Sequence, residues 1–168
     1  LLKTPERAAM LEFSTPILET LTNGFVTLRS RLEQFKPFLD KRGQLRFDDW
    51  LENGQYRIST AAGRSFGAGI DAVLKKHEGQ KSIAVHPSSG LASRLLKLVH
   101  QNEYDAVLAY PHELQSVVRQ LELNPHDFVF IPIAEHVSLQ PIYVACSKST
   151  FGKQMITEIN RVLADPTE

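Results

Sequence analysis

Gly63-Arg64-Ser65-Phe66-Gly67 has the form G-x-S-x-G, the nucleophile elbow of many serine hydrolases, and it stands where a run of strand formers passes into a helical pattern. In that chemistry Ser65 attacks an acyl carbon while a histidine takes its proton and an acid orients the histidine. Six histidines are available: His77, His86, His100, His112, His126 and His136. The order serine, acid, histidine is met by Ser65, then Asp105 or Asp127, then His136. Two features of the surroundings count against this serine hydrolase reading. Arg57-Ile58-Ser59-Thr60-Ala61 is polar and alternating, whereas a central hydrolase strand is almost wholly apolar, and no small-residue oxyanion loop precedes it. The same residues support a second chemistry. A helix beginning at Ser65 would point the N–H groups near Ser65 and Phe66 at a ligand, and Arg64 would add positive charge for a carboxylate or phosphate. A third reading is a solvated cap that holds nothing.

The elements that must position these residues follow from the hydrophobic pattern. Thr4-Pro5-Glu6-Arg7 predicts a helix start, with Thr4 capping, Pro5 at the first helical position and Glu6 at the positive end. Ser14-Thr15-Pro16 ends that helix. Gly24–Arg29 predicts a strand, and the segment after it keeps both strand and helix options through Leu28, Leu32, Phe35 and Leu39. Phe47–Leu51 predicts a short helix stopped by Asn53-Gly54. Strands are then predicted over Tyr56–Ala61, Ser82–His86, Asp105–Tyr110, Phe128–Ile133 and Ile142–Ser147. Helices are predicted over Ser65–Lys76, from a cap at Pro87-Ser88-Ser89 through Leu91, Leu95, Leu98 and Val99, over His112–Leu123, and over Lys153–Leu163. Alternating strands and helices predict an α/β chain with a mostly parallel sheet.

Bulk properties narrow the function classes. The 168 residues suffice for one ordinary domain or two small lobes. Lys plus Arg (19) balances Asp plus Glu (19), so no global field points to nucleic acid or an anionic membrane. No apolar run approaches the roughly 18 residues of a membrane span, and Leu1-Leu2-Lys3-Thr4 lacks the basic start and long apolar run of a secretory leader. The single Cys146 excludes an internal disulfide and a cysteine-built zinc site; within Ile142-Tyr143-Val144-Ala145-Cys146 it is expected to be a buried structural thiol. No cofactor and no metal is expected.

Four segments in chain order carry a resemblance. "LKTPERAAMLEFSTPI" (2–17), "GRSFGAGIDAVL" (63–74), "NEYDAVLAY" (102–110) and "IYVACSKSTFGKQMITEINRVL" (142–163) resemble, respectively, the first-lobe segment, second-lobe ligand loop, following strand and closing segment of type 2 periplasmic solute-binding proteins, the amino-acid-binding-like extracellular family 3. The resemblance implies two lobes of mostly parallel sheet flanked by helices, with residues 1–23 and 141–168 forming part of the first lobe and 24–140 the second. It implies non-enzymatic binding of a small polar or anionic solute between the lobes with hinge closure, outside the cytoplasmic membrane in the periplasm or extracellular space. The solute would pass to an ABC-type transporter or be reported to a sensor; a receptor's sensory domain or a regulator's effector domain is the alternative. Carried over by position, Thr4 and Arg7 lie on the first-lobe lip, with Arg7 clamping a ligand carboxylate. Gly63, Arg64 and Ser65 donate from the second lobe, and Phe66 walls the pocket. Tyr110 falls where amino-acid binders place an aspartate for the ligand ammonium, a departure that argues against an ordinary α-amino acid; Glu113 is the nearest acid to replace it. Trp50 is expected to pack rather than stack on ligand. The family's first lobe begins with a strand-helix-strand unit that precedes the Thr-x-x-Arg segment. Its absence from these 168 residues leads to an expectation of self-association.

Overall fold

The computed structural model describes residues 1–87, 91–136 and 139–165. α1 (Pro5–Met10) leads directly into β1 (Leu11–Phe13), followed by β2 (Leu18–Thr20) and β3 (Gly24–Leu28). Helical turns include α2 (Leu32–Phe35) and α3 (Phe47–Glu52), which settles the ambiguous segment as helical. Strands and helices then alternate through β4 (Ile58–Ala61), α4 (Ala68–Lys76), β5 (Ile83–His86), α5 (Leu91–His100), β6 (Ala106–Ala109), α6 (Pro111–Gln120) and β7 (Phe128–Pro132). The chain closes with β8 (Gln140–Ile142), β9 (Ala145–Ser147) and α7 (Thr150–Ala164). It divides into two compact units, Leu1–Leu21 with Leu139–Glu168, and Thr22–Ser138.

The Thr22–Ser138 unit is built on a five-stranded sheet of order β5-β4-β6-β3-β7. β4 runs parallel to β5 and β6, whereas β3 runs antiparallel to both β6 and β7. The sheet is thus mixed where the pattern predicted mostly parallel pairing. The helical crossovers do join strands of one direction, β4 through β7. β3, inserted between β6 and β7, alone runs against them and turns both of its pairings antiparallel. Alternate residues face opposite sides, as a pleat requires. Phe25, Ile58 and Leu108 enter one core with Phe35, Phe47, Trp50 and Ile70, while Val26 and Val107 enter the other with Leu95, Val99 and Val117. Trp50 stacks between Phe35 (5.5 Å) and Tyr56 (5.0 Å), the packing role expected of it.

Local chemistry fixes the helix starts. α4 begins at Ala68, not at Ser65. Gly67 has φ +102°, which cannot continue into a helix, and the Asp71 carboxylate accepts the Phe66 N–H at 2.8 Å, ending the loop there. A Cβ at Gly67 would overlap the His136 ring. Glu135 accepts the N–H groups of Phe47 (3.1 Å) and Asp48 (2.9 Å) and so caps α3 from outside the helix. In α5, Leu95 and Val99 are buried as expected; the predicted cap residues Ser88 and Ser89 lie outside the described residues.

The other unit is thinner. β1 pairs antiparallel with β9 and β2 with β8, in separate two-stranded sheets. The single strand predicted over Ile142–Ser147 therefore splits. Between its halves the Ser14 hydroxyl accepts the Val144 N–H at 3.0 Å and the Ser14 N–H donates to Val144 O at 3.0 Å, so the chain is held without a continuous ladder. Thr4 caps α1 by accepting the Arg7 N–H at 3.3 Å, and Ser149 caps α7 by accepting the Gly152 N–H at 3.0 Å. Cys146 is half-buried rather than buried, on a three-residue strand of a two-stranded sheet. Among the described residues no helix is long and apolar enough to cross a membrane.

Candidate ligand-binding site

β4 and β6 are parallel neighbours, so their carboxyl ends open at the same edge of the sheet. In open α/β sheets that edge is where ligands bind. β4 gives way there to the loop 62–67, turned by Gly63 at φ +69°, and β6 gives way to Tyr110. Arg64 joins the two. Its Nη2 donates to Glu113 Oε2 at 2.7 Å, and its Cζ lies 5.2 Å from the Phe66 ring centroid and 5.3 Å from that of Tyr110. Glu113 Oε2 also accepts the Tyr110 N–H at 2.8 Å, and the Tyr110 ring stacks on His112 at 5.2 Å. Beneath this cluster is an apolar cavity of about 20 Å³ lined by Phe66, Ala109, Leu114 and Val117, room for roughly one water. Four of the residues singled out from sequence, Arg64, Phe66, Tyr110 and Glu113, thus meet. Phe66 is at once a core residue and a wall of the cavity.

Ser65 has a different partner from either expectation. Its hydroxyl donates to Asp71 Oδ2 at 2.5 Å and accepts the Gly67 N–H at 3.3 Å. The Phe66 N–H, expected to face a ligand from a helix start, is taken by Asp71. Asp71, Asn23 and His136 surround this loop and were not singled out as its supports. Asn23 is fully buried and donates from Nδ2 to Phe66 O at 3.1 Å, leaving its Oδ1 without a partner. His136 is buried with Nε2 unpartnered; burial lowers its pKa below the usual histidine value, and the nearby Asp71 charge only partly opposes that. Asp71 is in the first turn of the observed α4 but well inside the helix predicted from Ser65, so its place beside the loop had no signal in the sequence.

In the other unit, Thr4 and Arg7 share the first turn of α1. Arg7 Nη1 donates to Leu2 O at 2.9 Å, which holds the guanidinium beside the chain start.

No family model matches the chain, and no curated protein does. Solved structures do. The holo form of ArgBP from T. maritima superposes with a TM-score of 0.67 at 15% identity, over 100% of this chain and 62% of that one. AbpA from Streptococcus pneumoniae, an amino acid ABC transporter substrate-binding protein bound to L-arginine, gives 0.64 at 18% identity, over 98% and 58%. AncCDT-1, an ancestral amino-acid-binding protein and precursor of cyclohexadienyl dehydratase, gives 0.64 at 13%, over 98% and 59%. The fold is that of a type 2 periplasmic solute-binding protein. The chain spans about three fifths of the length of these structures.

Within this fold the hydrolase geometry is not assembled among the described residues. The Ser65 hydroxyl hydrogen goes to a carboxylate, not to an imidazole. Asp105, one candidate acid, ion-pairs with Arg31 and accepts the Arg57 N–H at 2.6 Å. One sequence argument against the elbow does fail. Ile58–Ala61, although polar in Ser59 and Thr60, is a wholly buried interior strand of the sheet. Its hydroxyls are small enough to enter a pleat covered on both sides. Asp48, Glu52 and His77 come within 4.8 Å of one another, but Lys76 Nζ already donates to Asp48 at 2.7 Å and to Glu52 at 2.8 Å. That ammonium, followed by the His77 hydrogen bond, holds the Asp48 carboxyl below its usual pKa. The chain supplies its own cation there.

Proposed function

We propose that this protein binds a small polar or anionic solute without chemical conversion, for delivery to an ABC-type importer or for sensing, in the periplasm or outside the cell. The observation that carries the reading is the meeting of Arg64, Phe66 and Tyr110 at the carboxyl ends of two adjacent parallel strands. Gly63 and Ser65 belong to the same loop, which Asp71 pins so that Arg64 projects in a fixed direction. Thr4 and Arg7 are proposed as ligand-binding residues of the other unit, with Arg7 as carboxylate clamp. The structures with this fold include proteins bound to arginine and an amino acid ABC transporter component, which supports a solute in the size range of an amino acid.

A thermal-shift screen over amino acids, organic acids, oligopeptides and phosphates tests the reading. A ligand at 100 times its dissociation constant adds about 2.7 kcal/mol to the folded state. Arg7→Ala is expected to abolish the shift given by a carboxylate ligand. An unaltered shift in that variant refutes the clamp, and no shift with any compound in the screen refutes solute binding. Ser65→Ala should leave the background hydrolysis of a generic ester unchanged; its loss would favour the hydrolase instead.

A further inference from the structure

The surroundings of Arg64 have the composition of a receptor for an organic cation. Two ring faces stand 5.2 Å and 5.3 Å from its Cζ, and a carboxylate oxygen lies 2.7 Å from its Nη2. Aromatic faces plus a carboxylate are what recognise guanidinium and alkylammonium groups, because ring quadrupole and anion both attract the charge while the plane of a guanidinium stacks. The walls do not depend on Arg64 for their positions. Phe66 is packed in the core at 1% exposure, and Glu113 is tied to the Tyr110 N–H at the first turn of α6. Arg64 itself sits on the loop between Gly63 and Gly67, both at positive φ, and its side chain is 23% exposed. The Arg64 side chain is thus a partly exposed member of the cluster, and the Phe66 ring beside it on the same loop is packed in the core. Arg64, Phe66 and Glu113 all line the cavity of about 20 Å³.

We propose that Phe66, Tyr110 and Glu113 form a cation cage that Arg64 plugs from within the chain, and that this plug sets the class of ligand. Resting on the solute-binding reading, the consequence is that guanidinium and other organic cations are refused at this lip. A carboxylate-bearing solute without a basic side chain is accepted beside Arg64, whose guanidinium N–H groups other than the one on Glu113 donate to no hydrogen-bond acceptor among the described residues. Glu113 has two roles: it fixes Arg64 for such a solute, and it is the anion that an external cation would need and cannot reach.

Removing the plug tests this directly. Methylguanidinium chloride is titrated calorimetrically into the wild-type chain, Arg64→Ala and Arg64→Ala/Glu113→Gln, with potassium chloride as the ionic-strength control and circular dichroism to confirm folding. Arg64→Ala is expected to bind methylguanidinium saturably and at least tenfold more tightly than the wild type, and Glu113→Gln is expected to remove that gain. Equal binding by wild type and Arg64→Ala, no saturable binding by Arg64→Ala, or a gain that survives Glu113→Gln overturns the cage. If Arg64→Ala does not fold, Arg64→Gln, which keeps a polar side chain but is shorter and uncharged, carries the same expectations. Methylguanidinium has no carboxylate, so the outcome is independent of the solute screen. A wild type that binds no compound in that screen while Arg64→Ala binds methylguanidinium removes the solute reading and leaves the cage.

Discussion

The Thr22–Ser138 unit and the unit formed by the two chain ends differ in how much they bury. In the first, both faces of a five-stranded sheet are covered, with Phe25, Phe35, Phe47, Trp50 and Ile58 fully inaccessible. In the second, two-stranded sheets carry a few helical turns and one long helix, and among its described residues Leu2, Ser14, Gly152 and Ile156 are the buried ones. Met10, Leu18, Phe151 and Val162 of that unit are more than half exposed. A two-stranded sheet is marginal in water without further cover. One unit thus buries a continuous core on both faces of its sheet, and the other leaves much of its apolar surface exposed. The largest expected effect sharpens this contrast. Trp50→Ala, which empties a stack of three rings, should cost about 3–5 kcal/mol, whereas Ile156→Ala should cost about 2 kcal/mol, the low end for such truncations. Urea denaturation followed by far-UV circular dichroism measures both. Equal losses would mean that the chain-end unit has a core as tight as the other's.

The next effect is on association. Phe151, Met155 and Val162 all lie on α7 with substantial exposure, and the chain has no net charge to oppose contact between copies. Concentration-dependent association is expected by light scattering, and Phe151→Glu should weaken it about tenfold. A monomer at high concentration would show that the exposed face is tolerated in water.

The same contrast explains what could be read from the sequence. Where one face or both are packed, the pattern is strong. β6 shows as the apolar run within "DAVLAY", α4 carries Ile70 and Val73 on one side, and Thr4-Pro5 marks the start of α1. Where pairing is short and half-exposed, the pattern fades: β1 and β2 are three-residue strands with no alternation to detect, and Ile142–Ser147 looked continuous although it breaks at Tyr143-Val144. The antiparallel direction of β3 is a property of the whole sheet and has no local signal. At the site, the loop was legible as a G-x-S-x-G pattern between a strand and a helix, and Tyr110 only through the family resemblance. Asn23 and His136 were not, because each reaches the Phe66–Gly67 turn across more than forty residues of sequence. The assignment of Ser65 changed for the same reason. Its partner is Asp71, and only the fold shows that the helix starts at Ala68 and leaves Asp71 facing backward onto the loop.

The smallest effect is a pH dependence. His136 is 5% exposed, its Nε2 has no hydrogen-bond partner, and burial lowers its pKa below the value of 6.5 that the unfolded chain keeps. The folded protein therefore holds fewer protons than the unfolded one between the lowered pKa and 6.5, and stability falls as the pH falls through that window. Above it both states are neutral at this residue and the contribution is constant. The slope from one group cannot exceed about 1.4 kcal/mol per pH unit, which places it below the other effects. Asp71 is the charged group that opposes the shift, so Asp71→Asn should steepen the decline, while His136→Gln should flatten it. Melting temperatures recorded from pH 7.5 to pH 5 for the three proteins separate the cases. A wild-type curve no steeper than that of His136→Gln would show that His136 takes up its proton in the folded chain as easily as in water, and hence that the turn at Gly67 opens to admit solvent.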